Sequence, residues 1–172
     1  HPMKQMESLY DAIYEVGKKD NISNFGTYAV NSLRMEKAYR GWGAELTGEI
    51  SLVEAGMDRF FNLNKKSNFI GSEILREKLQ SGVAIKIVYL ELDVSDADAR
   101  GNEPVYHNNK IVGVVTSGAY GFRVNKSFAF AYVQAELAKD ETELLVEIQG
   151  QKRKAKILNT PAYDPQNKKL KS

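Results

Sequence analysis

Apolar residues recur at helical intervals through the first half of the chain and gather into short β-rich runs separated by turn residues through the second. The switch falls near residue 82. From Lys4 to Val16, Leu9, Ile13 and Val16 fall three and four apart, which predicts a helix with one apolar face, and Gly17 reads as its stop. Asn24 is placed to cap a second helix over Thr27 to Lys37, whose Ala29, Val30, Leu33 and Lys37 lie on or beside one face. Gly41, Gly43 and Gly48 interrupt the pattern beyond that helix. Ser51-Leu52-Val53-Glu54 has the spacing of a capping box and predicts a short helix. Phe60-Phe61-Asn62-Leu63 reads as a strand. Gly71 to Leu79 reads as a helix with Ile74, Leu75 and Leu79 inward, ended by Gly82.

Beyond residue 82 the pattern is β. Ala84 to Leu92 is a strand, and Asp93 to Gly101 is an acidic turn region. Val105-Tyr106-His107 and Lys110-Ile111-Val112 flank Asn108-Asn109, a pair that tolerates the positive φ of a tight hairpin. Val114 to Thr116 and Ser127 to Val133 come next, and Glu143–Ile148 pairs with Lys152–Leu158 around Gly150. Short strands with tight turns at this spacing predict a small antiparallel barrel or sandwich. The fold class is α+β: a helical portion followed by a compact β-domain.

Composition narrows the chemistry. The 172 residues carry 24 basic and 22 acidic side chains, a net charge of +2, and no cysteine. Disulfides, thiolate metal sites and cysteine nucleophiles are excluded. His1-Pro2 ahead of Met3 reads as an expression scar, which leaves His107, expected as a surface residue beside its hairpin turn. No G-x-S-x-G motif surrounds a serine, so a serine-hydrolase triad is not expected. No signal peptide is visible, and no apolar run nears the roughly 20 residues of a membrane span. Lys152, Arg153, Lys154, Lys156, Lys168, Lys169 and Lys171 face one acid, Asp164, near the C-terminus. Without an interleaved row of aromatic residues this favours a lysine-guarded strand and solvated tail over a nucleic-acid or anion-binding surface.

Six segments in register carry a resemblance. The run from Phe25 through Tyr28-Ala29-Val30-Asn31-Ser32-Leu33-Arg34-Met35-Glu36-Lys37 to Trp42-Gly43 resembles the dimethylglycine and sarcosine dehydrogenase branch of the glycine-cleavage T-protein (aminomethyltransferase) superfamily. Leu52-Val53-Glu54-Ala55-Gly56 is similar to that family's P-L-E-A-G-L element, with leucine for proline. Asn68-Phe69-Ile70-Gly71 resembles its D-F-I-G-K-E-A-L helix start. Gly101-Asn102-Glu103-Pro104-Val105-Tyr106, Gly113 to Gly118 and Lys126 to Val133 resemble its C-terminal barrel signatures.

The resemblance implies the helical end of a folate-binding subdomain over residues 3–82, a T-protein-type barrel over 83–160 and a basic tail over 161–172. It implies tetrahydrofolate as cofactor. It further implies a parent enzyme whose FAD domain oxidises an N-methyl amine such as dimethylglycine or sarcosine, passing the one-carbon unit to folate. No glycine-rich dinucleotide fingerprint follows a strand here, and the family's catalytic aspartate lies upstream, so this portion is expected to be inactive alone. The implied partners are folate, the amine through the other domains, and those domains themselves, without nucleic acid or membrane. A regulatory or docking module of the same superfamily, and an aminomethyltransferase fragment, are the alternatives. Composition leans to a bacterial cytoplasm, with the mitochondrial matrix as the other compartment.

By the same resemblance, Tyr28 and the stretch Met35-Glu36-Lys37 are folate contacts, and Asp96 is a further one. Tyr28 and Glu36 are eight apart, so they share a helix face. Glu36 has an alternative, an ion pair with Arg40 at i+4, and Tyr28 has another, core packing. Where the aminomethyltransferases place a folate-gripping arginine this chain has Val30. Arg34 and Lys37 could meet folate's carboxylates, and Arg34 reads rather as a structural arginine held by a glutamate or by carbonyls. Trp42 either lines a wall between subdomains or plugs the core. Thr116-Ser117-Gly118 offers either ligand-binding N–H groups or a barrel turn, the latter preferred.

Overall fold

The computed structural model describes residues 1–140 and 142–172. The chain divides into two compact units, His1–Val30 and Asn31–Ser172.

In the first unit, α1 spans Met6–Gly17. Gly17 stays right-handed and leads into a 3-10 turn, Lys18–Asp20; the left-handed Asn21 ends the run instead. A Cβ on Gly17 would meet the Ile22 side chain at 2.8 Å, so glycine here serves close packing rather than the stop. No residue of α1 is buried, and Ile13 and Val16 are 54% and 68% exposed, so the stripe expected to face a core is uncovered within its unit. Asn24 does not cap the next helix: its Nδ2 donates to Tyr10 Oη at 2.7 Å.

Helix α2, Thr27–Glu36, ends one residue short of Lys37 because Ala38 is left-handed (φ 53°) and the Ala38 and Tyr39 N–H groups turn back to Met35 and Arg34. In the second unit, the Ser51–Glu54 capping bonds are present, with Ser51 N–H and Oγ donating to Glu54 Oε2 at 2.8 and 2.6 Å. No helix grows from them, since left-handed Gly56 closes the segment after one turn. Phe60–Leu63 is not a strand; a 3-10 turn at Asp58–Phe60 precedes an irregular stretch with no strand partner. Helix α3, Ser72–Ser81, buries Leu75, while Ile74 and Leu79 are exposed.

Six strands then close a barrel: β1 Ile85–Leu92, β2 Pro104–His107, β3 Lys110–Gly121, β4 Lys126–Gln134, β5 Leu144–Ile148 and β6 Gln151–Ile157. Their order is β1-β4-β3-β2-β5-β6, with β6 returning to β1, all antiparallel. Asn108 and Asn109 take φ of 49° and 62° in the expected β2–β3 hairpin. Val114 to Thr116 is no separate strand; it lies within the twelve residues of β3.

Inward and outward residues of β4 explain the closure. Ala129, Ala131 and Val133 point into the barrel with Val88, Leu90, Val105, Val115 and Val146, small enough for a narrow interior. Phe128, Phe130 and Tyr132 alternate to the other face, joining Met35, Ala38, Ile87 and Tyr89 in a second cluster. The C-terminal part of α2 thus covers the outer face of β1 and β4. Thr116-Ser117-Gly118 is strand interior at a bulge, not a turn, and a Cβ on Gly118 would lie 2.4 Å from the Ala99 carbonyl oxygen.

Candidate functional site

Two bonds fix the last turns of α2 on β3. Asn31 Nδ2 donates to the Gly118 carbonyl at 3.1 Å, and Ser32 Oγ to that of Tyr120 at 2.6 Å. Glu36 therefore meets the end of β3. It is 2% exposed, and its Oε1 accepts the Arg123 N–H at 2.6 Å. A Cβ on Gly121 would come within 2.8 Å of Glu36 Cγ, so glycine at this position makes room for the acid. Among the described residues, Oε2 accepts no hydrogen bond.

That placement runs against elementary electrostatics. A carboxylate at a helix C-terminus faces the negative end of the macrodipole. Burial adds a desolvation cost that one N–H bond only partly offsets. An apolar residue would fill the same space at lower cost, and local rules are broken in this way mainly at functional sites.

The alternative reading of Glu36, an ion pair with Arg40, is not seen among the described residues. Arg40 donates to the Ala55 and Ala38 carbonyls at 3.2 and 3.0 Å and lies over the Phe130 ring. Met35 is fully buried, its sulfur 3.9 Å from Ser117 Oγ. Lys37 Nζ donates to the Asp164 carbonyl at 2.7 Å and to Asn167 Oδ1 at 2.6 Å. Asp96 accepts from Arg153 Nη2 at 2.6 Å, and that bond holds its carboxyl below the ordinary range. Tyr28, in the first unit, is 91% exposed and is no core residue. Trp42 is 81% exposed at a tight loop and does not plug the core. The structure brings Met35, Glu36 and Lys37 together at the end of α2; Asp96 lies in its own pair with Arg153.

Arg34 is the structural arginine its sequence context suggests. Its Nη1 bonds Glu45 Oε2 at 2.9 Å, Nη2 bonds Ser117 Oγ at 2.8 Å, and Nε bonds Asn31 Oδ1 at 2.8 Å. Sequence reasoning missed Glu45, which is 0% exposed and bonds both Arg34 and the Ser117 hydroxyl that Arg34 also contacts. Glu45 Oε1 accepts the Thr116 and Ser117 hydroxyls, Oε2 accepts the Gly41 N–H at 2.7 Å, and its carbonyl accepts Tyr132 Oη at 2.8 Å. Burial, then the Glu45 and Glu54 charges, push the Tyr132 phenol up to about 12. The available signal was an acid inside the glycine-rich stretch after Arg34. With every oxygen engaged, Glu45 is structural, whereas Glu36 keeps acceptor capacity.

Among the described residues, Tyr89 Oη is buried without a hydrogen-bond partner, its ring stacked on Phe128 at 5.3 Å. A cavity of about 1470 Å³ lies at the barrel, lined among others by Tyr106, Tyr120, Phe122, Lys126 and Lys154. None of the five sequence-derived contacts lines it. Among the described residues no cluster of histidine, aspartate and glutamate is arranged to hold a metal, and no helix is long and apolar enough to cross a membrane.

The closed six-strand barrel with α2 on its outer face defines the class, the C-terminal barrel type of the glycine-cleavage T-protein. Residues 86–164 match the glycine cleavage T-protein C-terminal barrel domain, and residues 1–65 match the GCVT N-terminal domain. The chain is 41% identical to mitochondrial dimethylglycine dehydrogenase of Homo sapiens over 94% of its own length and 19% of that protein. It is 32% identical to an aminomethyltransferase of a Geobacillus strain over 91% of its length and 43% of the relative. The solved structure of the glycine cleavage system aminomethyltransferase T from Bartonella henselae superposes with a TM-score of 0.83 at 23% identity, covering 95% of this chain and 45% of that one. The chain belongs to the glycine-cleavage T-protein (aminomethyltransferase) superfamily. It spans about a fifth of the dehydrogenases and somewhat over two-fifths of the aminomethyltransferases it matches.

Proposed function

We propose that this chain is the folate-binding C-terminal portion of a flavin-dependent dimethylglycine or sarcosine dehydrogenase, which passes a one-carbon unit from an N-methyl amine to tetrahydrofolate. The supporting observation is Glu36: a buried carboxylate at the wrong end of a helix, with Oε1 held by the Arg123 N–H and Oε2 uncommitted. A pterin edge presents adjacent N–H donors, and a fixed carboxylate oxygen is their natural acceptor. Glu36 then binds and orients the ring, with the Arg123 N–H holding its other oxygen in place. Its contribution to the reaction is positioning. Tyr28 is a second contact by the same reading, to be tested separately.

FAD supplies the oxidation of the amine in such an enzyme. Among the described residues no α-helix follows a strand, so the strand–turn–helix cradle for a dinucleotide does not fit here. No step is assigned to FAD on this chain. The chain alone is expected to show no turnover of an N-methyl amine.

The test uses the longer enzyme. Glu36→Ala is expected to weaken tetrahydrofolate affinity by roughly tenfold or more, the loss of hydrogen bonds to a charged group. Anaerobic flavin reduction by the amine is expected to keep its wild-type rate. Equal folate affinity in variant and wild type overturns the assignment. Impaired flavin reduction with intact folate binding would place Glu36 in the amine site instead.

A further inference from the structure

The segment after β6 is tied back onto the fold by hydrogen bonds. Leu158 N–H donates to the Tyr89 carbonyl at 2.8 Å, and Tyr163 N–H donates to the Glu36 carbonyl at 3.0 Å. Lys37 then closes the segment. Its ammonium reaches the Asp164 carbonyl at 2.7 Å, Asn167 Oδ1 at 2.6 Å and Asp164 Oδ2 at 3.5 Å. Those are three acceptors for three N–H donors, with both charged side chains largely buried.

The acceptors stand on unusual backbone. Asp164 and Asn167 both have positive φ, 43° and 55°. Asp and Asn tolerate this region better than other residues with a Cβ, yet such conformations persist only where the surroundings impose them. Local bonds do so here: Asn167 N–H donates to the Asp164 carbonyl at 2.9 Å, and Lys168 N–H to Asp164 Oδ1 at 2.8 Å. On the other side, the Arg123 guanidinium lies 5.7 Å from the Tyr163 ring centroid. The same Arg123 supplies the N–H that holds Glu36 Oε1.

The strap thus reaches the Glu36 carbonyl, the neighbouring Lys37 ammonium and the residue that fixes the Glu36 carboxylate. We infer that Asp164 and Asn167 are positioning residues: by capturing Lys37 they lock the last turn of α2 and set the orientation in which Glu36 presents Oε2. The ligand in question rests on the proposed folate reading; the locking of Glu36 does not. A side chain about 130 positions downstream of Glu36 therefore tunes its recognition.

The experiment tracks the Arg123 amide proton by NMR in the 172-residue chain. Asn167→Ala removes one acceptor and leaves the core untouched, and Lys37→Met removes all three bonds at similar volume. Both are expected to speed Arg123 amide exchange by roughly tenfold, the order expected for losing a hydrogen bond to a charged group, while exchange in the Asn108-Asn109 hairpin stays unchanged. Asn167→Asp, which keeps the acceptor, is expected to retain wild-type protection. Unchanged Arg123 exchange in Asn167→Ala overturns the inference, and so does equal loss of protection in the distant hairpin. Tetrahydrofolate titrations of Glu36→Gln and Asn167→Ala in the longer enzyme separate the two readings. If only Glu36→Gln loses affinity, the folate site stands and the strap fails. If Glu36→Gln binds folate normally while Asn167→Ala frees the Arg123 amide, the strap stands and the folate reading fails.

Discussion

Strand β4 and helix α1 are both rich in apolar residues, and they have opposite fates. Seven of the nine residues of β4 are buried, because its inward side fills the barrel and its outward side is covered by α2. None of the twelve residues of α1 is buried, although Leu9, Ile13 and Val16 are spaced as well as any core stripe. Periodicity declares which side chains favour burial; it does not supply the surface that buries them. A twelve-residue helix without tertiary cover has little stability of its own.

The contrast can be broken most sharply at Phe130, fully buried and 5.2 Å from the Tyr89 ring. Phe130→Ala is expected to destabilise the second unit by about 3–5 kcal/mol in denaturant unfolding. Ile13→Ala in α1 should cost under about 0.5 kcal/mol in the same assay, as an uncovered site. Equal losses at the two positions would show that α1 is covered in solution. Next comes the buried ion pair. Arg34→Met leaves Glu45 charged and 0% exposed with one partner fewer, so the expected cost is about 3–5 kcal/mol before any relaxation of the loop, to be read from thermal melting. A neutral outcome would mean that the Thr116 and Ser117 hydroxyls and the Gly41 N–H suffice to hold Glu45.

The smallest effect concerns pH. Burial raises the Glu54 carboxyl, but the Ser51 hydroxyl and N–H and the Lys78 ammonium together outweigh it and leave it lowered. A lowered folded-state value means that the unfolded chain binds the proton first. The stabilisation is therefore complete above the ordinary glutamate range and is lost as pH falls through and below it. Lys78→Met should flatten that part of the stability–pH curve, and an unchanged curve would remove the assignment.

Much of the barrel was legible because its constraints are local. Asn108-Asn109 needs positive φ at two consecutive residues, and β1 and β4 are continuous runs of β-branched, aromatic and small apolar residues, the composition of strands buried on both faces. Phe60–Leu63 had strand composition and no partner to pair with, and the Ser51 box began a helix that Gly56 stopped. Glu45 was not legible because, Gly41 apart, the groups that hold its carboxylate are 11, 71 and 72 positions away. Glu36 became a candidate through family resemblance; its place at the unfavourable end of a helix could be read locally, but its burial and its tie to Arg123, 87 positions away, are long-range facts that no local pattern encodes. The strap is of the same kind, since Lys37 and Asn167 meet across 130 positions.

The most direct measurement exploits the single tryptophan, Trp42, exposed beside these elements in sequence. Tetrahydrofolate is titrated anaerobically into the chain and into Glu36→Gln, with tryptophan emission recorded together with heat release. Saturable binding by the wild-type chain that is lost in Glu36→Gln is the predicted result. Equal affinity in the two, or no binding by the wild-type chain at millimolar folate, would contradict a working folate wall at the end of α2.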